Sequence, residues 1–413
     1  MAQLPSFLIR CLPILTAATP GAFRIFVITF AMFLLAGEEA VAFSTQYTLV
    51  SFFIMICGVG FSTILVKEMA GKEDVGVLFS YGASSFAIGG LVSGVGVFVA
   101  SFFLLIPNIK QVLLLIVVSS VYQVFRNYLI FKKDFFRLLA NDVIVGVAFL
   151  LFFFVCSVLG FGVNSAALFF LLSCSYVLAG ALVICWRWAS SDDSYINISL
   201  FTLKKHDVTS SLIIGFSNAA SGGVSFILPS LFAVTGGEEI AIVASIAALV
   251  FSSVAAVPRG VVNNAMTQLS RMISDVNMDK TLMFSLKRRV SKIISVLFPA
   301  LTIFIYVYLF FLDNIANYVA AGLFVIALGF YMASAQFGVV ESVMVNLCGY
   351  ERFAFCFNLA IFILVIISFV LVESFDLGSL ALYAVYALPL VLGVVNIFRM
   401  YWYRRKVNDY FYG

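Results

Sequence analysis

Twelve stretches of about twenty mostly apolar residues, each long enough to cross the ~30 Å hydrocarbon core of a bilayer as a helix, follow one another along this 413-residue chain. They read as Pro13–Leu35, Tyr47–Val66, Val75–Leu105, Val112–Ile130, Val143–Leu159, Ala166–Cys185, Thr209–Val234, Ile240–Val257, Ile293–Leu312, Tyr318–Val345, Phe353–Val372 and Leu380–Phe398. With 63% hydrophobic residues, the chain carries more apolar surface than a water-soluble domain can hide. The expected fold is therefore all-α, with twelve transmembrane helices. The third stretch is long enough to tilt or to include an interfacial turn.

The stretches repeat. Gly37-Glu38-Glu39-Ala40-Val41-Ala42 closes the first, and Gly237-Glu238-Glu239-Ile240-Ala241-Ile242 closes the seventh. Further along, Asp134, Phe136 and Asn141 recur as Glu351, Phe353 and Asn358. A six-segment unit copied once in the same direction predicts two six-helix bundles related by an axis along the membrane normal, with a substrate path at the repeat interface. The expected boundaries are 1–185 for the first bundle, 186–208 for a linker holding Ser190-Ser191-Asp192-Asp193-Ser194, and 209–413 for the second.

Orientation follows from Lys and Arg near the helix ends. Of the 24 basic residues, all but Lys110 and Arg24 are assigned to one side, which predicts cytoplasmic termini and a cytoplasmic linker. Trp186, Trp188 and Trp402 fall at the same interface, where an amphipathic ring is favoured. The seven cysteines are an odd number lying in or beside apolar segments, so they read as small hydrophobes and not as a disulfide framework. The first stretch has the length of a span and lacks the short core and small-residue cleavage site of a removable leader.

Other chemistries are poorly represented. The sole Gly-Lys pair, Gly71-Lys72, lacks the flanking glycine and hydroxyl residue of a phosphate-cradling loop. His206 is the only histidine and sits among Lys204, Lys205 and Asp207, while no Cys, His, Asp or Glu cluster has metal-ligand spacing. No metal, cofactor or nucleic-acid partner is expected. The outer loops are too short to hold a catalytic domain, so an enzyme is not expected either.

Polar residues within the apolar stretches are then the functional candidates. Arg24 falls near the middle of the first, where an arginine costs roughly 2.5–3.5 kcal/mol on insertion scales. It either meets an anionic group in a wet cavity or is neutralised by neighbours. Arg10, fourteen residues earlier, returns to almost the same helix face and also fits an ordinary positive-inside anchor. In the seventh stretch Ser211, Gly215, Asn218, Gly222 and Ser225 form one helical stripe, suited to tight helix packing or to lining a cavity. The eighth extends the pattern with Ser245, Ser252, Arg259, Asn263 and Thr267, broken at Pro258. Arg259 would greet a phosphate or anchor the helix. Glu341, near Gln336 and Tyr331 in the tenth, is a candidate for proton or sodium coupling or for balancing a basic group. Asp142, beside Asn141, reads as interfacial.

The Gly37-Glu38-Glu39 turn precedes a second span that ends Gly58-Val59-Gly60-Phe61 and continues Lys67-Glu68-Met69-Ala70; Gly349-Tyr350-Glu351-Arg352-Phe353 follows the tenth. On these motifs, and on twelve spans in about four hundred residues, the whole chain resembles the polysaccharide branch of the multidrug/oligosaccharidyl-lipid/polysaccharide (MOP) exporter superfamily. Within that branch it is similar to the Wzx-type O-antigen repeat-unit flippases. The resemblance implies a MATE-like fold with a central cavity formed mainly by spans one, two, seven and eight, which hold Arg24, Asn218, Arg259 and Asn263. It implies transfer of an undecaprenyl-pyrophosphate-linked oligosaccharide between leaflets of a bacterial inner membrane, with membrane lipids and polysaccharide polymerase machinery as neighbours. A cation-coupled multidrug exporter of the same superfamily would carry membrane-embedded carboxylates, whereas the first span here has no acid. A membrane-embedded glycan polymerase or ligase is the remaining alternative.

Overall fold

The computed structural model describes residues 6–69, 75–102, 104, 106–189, 205–234, 237–265, 269, 281–312, 315, 317–374 and 379–412, and these form helices and connecting turns without a strand. In chain order the helices are α1 (Ser6–Leu34), α2 (Glu38–Ile54), α3 (Gly60–Met69), α4 (Val75–Ser84), α5 (Gly90–Ala100), α6 (Ile109–Phe131), α7 (Phe135–Val158), α8 (Ser165–Ala189) and α9 (Lys205–Gly222). There follow α10 (Val224–Val234), α11 (Glu238–Val254), α12 (Ala256–Asn264), α13 (Thr281–Leu309), α14 (Tyr318–Phe337), α15 (Val339–Leu347), α16 (Glu351–Ser374) and α17 (Ser379–Tyr412). Among the described residues nine helices are long and apolar enough to cross a membrane, and α9 with α10 makes a tenth if the bent pair is one span. The first expected span lies in α1, whose apolar part is Ala18–Leu34, and the twelfth lies in α17.

The chain divides into two compact units, Met1–Ala219 and Ala220–Gly413. The expected linker lies largely outside the described residues, and the first part of the seventh span belongs with unit one. That span is not the continuous helix expected. It breaks at Gly223 with a 60° bend between Asp207–Gly222 and Val224–Val234. Two consecutive glycines remove side-chain support at the break, and Pro229 leaves a further backbone acceptor without its donor in α10. Ser225 therefore leaves the helical stripe expected of it, and its hydroxyl donates back to the Gly222 carbonyl at 3.1 Å.

In unit one the long helices are interrupted differently, by single π-turns at Met55–Val59 and Ser85–Gly89. The two turns lock together: Cys57 Sγ donates to the Gly89 carbonyl at 3.2 Å, and Ser85 Oγ to the Cys57 carbonyl at 3.1 Å. Beside them α9 approaches so closely that a Cβ on Gly60 would lie 2.2 Å from the Ser211 carbonyl oxygen, and one on Gly215 2.2 Å from that of Ile56. Ser211 and Gly215 thus serve tight helix packing, the role small residues have where lipid offers no hydrophobic drive for association. The core of this unit collects Phe61, Leu65, Tyr81, Phe125, Leu129 and Leu138.

Unit two is centred on rings. Phe232 lies 5.3 Å from both Phe324 and Phe369, and Phe251 stacks on Phe298 at 5.7 Å. Its long helices break at Ala255, between α11 and α12, and at Gly338, between α14 and α15. Glu341 accordingly sits in the first turn of a separate nine-residue helix and not in an unbroken tenth span.

Candidate functional site: two cationic centres

In unit one the strongest electrostatic feature is a buried ion pair. Asp142 on α7 receives Arg126 Nε at 3.1 Å and Arg126 Nη2 at 3.2 Å, and Tyr122 Oη donates to the same carboxylate at 2.6 Å. Arg126 Nη2 also donates to the Thr16 carbonyl of α1. The two side chains are only 9% and 4% exposed. Asp142 is therefore buried and paired within the helix packing, and Arg126 is part of that pair and not of the neighbouring basic loop. The sequence signal for this burial is the position of Arg126, four residues inside the expected fourth span, although the Lys132-Lys133 turn lies close by.

Arg24 is placed otherwise. It is half-buried on α1, within electrostatic range of the Tyr47 and Tyr176 hydroxyls. Among the described residues no hydrogen bond or ion pair involves it. Aromatic packing of Phe23 on Phe149 and Tyr176, 6.3 and 6.4 Å between centroids, sets this face of α1 against α7 and α8. A cation with two phenols in electrostatic range and no carboxylate partner among the described residues is suited to an anion from outside the protein. Arg10 lies on α1, but its side chain is outside the described residues.

Unit two holds a second centre, built around α14. Arg259 on α12 is exposed and donates Nε to Gln336 Oε1 at 3.3 Å. From α17, Arg399 donates Nη1 to Asn358 Oδ1 at 3.1 Å, an oxygen that also accepts from Tyr403 Oη at 3.3 Å. Asn396, one turn before Arg399, donates Nδ2 to the Tyr331 carbonyl at 3.3 Å and fixes α17 on α14. Both guanidinium groups act electrostatically on the Tyr331 hydroxyl and repel one another. Among the described residues neither has a carboxylate partner. Arg259 stands out in the sequence as a charge beside an apolar stretch, whereas Arg399 lies five residues from the basic Arg404-Arg405-Lys406 tail and does not.

The other candidates are less central. Asn218 is half-buried on α9 and has an interaction partner; the Asn263 side chain is outside the described residues. Glu341 is 5% exposed and its Oε1 meets Lys287 Nζ at 2.7 Å, while Oε2 has no hydrogen-bond partner. The carboxylate thus balances a basic group, the lysine of α13.

No family model matches the chain, and no curated protein does. Solved structures do match over nearly the whole length. A multidrug resistance MATE family transporter of the MOP superfamily in an inward-facing conformation superposes with a TM-score of 0.64 at 15% identity, covering 98% of this chain and 99% of the other. The fold is that of a MATE-type transporter. An outward-facing structure of such a transporter gives 0.62 at 15% identity, over 97% and 96% of the two chains. A MOP superfamily transporter from Pyrococcus furiosus, reported with a binding pocket of reverse polarity that suggests a different function, gives 0.59 at 15% identity over the same shares.

Proposed function

We propose that this chain is a flippase for an anionic, lipid-linked oligosaccharide, carrying an undecaprenyl-pyrophosphate-linked repeat unit such as O-antigen from the cytoplasmic to the periplasmic leaflet of a bacterial inner membrane. One observation carries the reading. Among the described residues the two buried carboxylates, Asp142 and Glu341, are already occupied by Arg126 and Lys287, whereas Arg24, Arg259 and Arg399 have no acid. The surplus helix charge is positive in both units. Guanidinium forks match phosphate oxygens in geometry as well as charge. Each unit of a fold made for alternating access then offers the head group a site, and with the cell interior negative an anion leaving gains about 2.3 kcal/mol per charge per 100 mV.

A cation-coupled multidrug exporter is the second reading. It is favoured by the fold neighbours described as multidrug resistance transporters and by the bare oxygen of Glu341. The Pyrococcus furiosus neighbour supports the first reading instead, as a protein of this fold reported with reversed pocket polarity.

Vesicles containing the purified protein, given a fluorescent lipid-linked diphosphate glycan in one assay and a cationic dye in another, separate the two. Leaflet transfer of chemically unchanged glycan, lost in Arg24→Ala and partly kept in Arg24→Lys at equal protein level, is expected. Extrusion of the dye with glycan left in place would overturn the proposal, and covalent change of the glycan would make the protein an enzyme.

A further inference from the structure

We infer that the face formed by α13 and α14 is a docking groove for the polyprenyl chain of the substrate, with its phosphate at the basic end of α13. This rests on the lipid-linked reading above. A groove of about 790 Å³ runs between these helices, with Ser295, Pro299 and Ile303 on one wall and Leu323, Ile326 and Phe330 on the other. Its floor is low because the helices touch closely. A Cβ on Gly322 would lie 2.6 Å from the Tyr306 ring, and one on Gly329 2.8 Å from Thr302 Oγ1. The walls are apolar and face outward: Ile303 is 65% exposed, Leu323 61% and Ile326 57%. In a membrane-spanning segment such a surface is covered by hydrocarbon.

Two features select the occupant. The first is length. The lining of α14 extends from Val319 to Phe337, about 27 Å at 1.5 Å per residue, close to the ~30 Å of the whole hydrocarbon core and nearly twice one leaflet. An acyl chain ends at mid-membrane, whereas a long isoprenoid chain continues. The second is charge. Arg288 and Lys292 are exposed on α13 and each stands seven residues from a groove residue, Ser295 and Pro299 respectively. Seven residues return to within about 20° of the same helix face, so two cations continue the groove at one end. An anionic head on a long apolar tail matches both. Since α12 packs on α13, a head group docked there is adjacent to the helix that carries Arg259.

The test uses the full chain in nanodiscs of phosphatidylethanolamine and phosphatidylglycerol, with a photoactivatable C55 polyprenyl monophosphate as probe. Label should map to α13 and α14 peptides and be displaced by unlabelled polyprenyl phosphate but not by added phosphatidylglycerol. Ile326→Trp, which fills the groove from an exposed position, should lower labelling about tenfold, the equivalent of 1.4 kcal/mol, in protein that remains monodisperse. Arg288→Gln with Lys292→Gln should lower it severalfold while the label keeps its map. Equal displacement by phosphatidylglycerol, or unchanged labelling in Ile326→Trp, would overturn the groove. The two proposals fail separately: saturable groove labelling without glycan transfer leaves the groove and removes the flippase, and normal glycan transfer with an unlabelled groove does the reverse.

Discussion

The two units share a short sequence motif, Asp134, Phe136 and Asn141 in one and Glu351, Phe353 and Asn358 in the other, and they differ in what stands beside its asparagine. Asn141-Asp142 in α7 corresponds to Asn358-Leu359 in α16. In unit one the aspartate holds Arg126 and Tyr122, and the neighbouring Asn141 is buried with neither amide atom hydrogen-bonded in the protein. In unit two the asparagine is the working residue, accepting from Arg399 and Tyr403, and no acid stands beside it. Unit one closes an arginine of α6, in its expected fourth span, into a structural ion pair. Unit two orients an arginine of α17, in the expected twelfth span and so not the repeat counterpart of Arg126, on an amide. A buried pair serves the fold; on the proposed function, the arginine held by an amide is the one that meets the anion.

The contrast is broken most severely at Asp142. Removing one member of a buried pair leaves the other charge unpaired, at a cost of about 3–5 kcal/mol. Asp142→Asn should therefore cut the amount of folded protein recovered in detergent and lower the unfolding temperature sharply, and Arg126→Gln with Asp142→Asn should recover much of the loss. Thermal unfolding of the three proteins checks this. A double variant no better than the single one would mean that Asp142 acts through Tyr122 and not through the arginine.

Arg399→Gln and Arg259→Gln test the other half. Neither removes a partner of a buried acid, so stability should change by less than about 1 kcal/mol. Glycan transfer should fall about tenfold in each, equivalent to about 1.4 kcal/mol of lost binding or transition-state contact. Asn358→Leu should weaken transfer as well, by releasing Arg399 from its orientation, whereas Asn141→Leu should be neutral or stabilising because its buried amide has nothing to lose. Transfer assays at matched protein level, paired with unfolding curves, read both axes. Strong destabilisation in Arg399→Gln would make the two units alike after all.

The helical architecture was legible because apolar length is a local signal. The breaks were less so. Gly223 could be read as one more small residue on a stripe, and Ala255 carries no sign of the turn it makes, since helix continuity there is decided by packing. Arg24, Arg259 and Glu341 stood out as charges in apolar surroundings. Arg126 and Arg399 did not, because each lies within a few residues of a basic cluster and its burial depends on partners sixteen and forty-one positions away. Whether a charge is spent or free is a property of pairing, which the sequence leaves open.

Glu341 gives a smaller effect. With Oε1 on Lys287 and the lysine 21% exposed, Glu341→Gln should lower stability by about 1–2 kcal/mol, less than a fully buried pair because water reaches the lysine. Transport should keep its sensitivity to imposed proton or sodium gradients. Loss of that sensitivity at equal protein level would instead make the bare Oε2 a coupling site, and would move the protein toward the exporter reading.

The smallest difference lies in the duplicated turns themselves. Glu39 Oε2 accepts from the Ser165 amide at 2.9 Å, at the start of α8, and Glu239 Oε1 from the Asn317 amide at 2.9 Å, at the start of α14. The device is the same, a carboxylate at a helix N-terminus where amides are unpaired and the dipole favours negative charge. It caps a different helix in each unit, the sixth span in one and the tenth in the other. Gly37 has φ +56° and Gly237 −95°, so identical letters take different turns. The Glu39 contact is partly buried and is backed by Asn108 Nδ2 donating to Ser165 Oγ at 2.8 Å, whereas the Glu239 contact is exposed. Water replaces an exposed cap more easily. Glu39→Ala should then cost about 1 kcal/mol and Glu239→Ala about half as much. Thermal shifts measured on both variants in one detergent decide it: equal losses would show that the turns are equivalent despite their backbones, and a larger loss at Glu239 would reverse the assignment of the more buried cap.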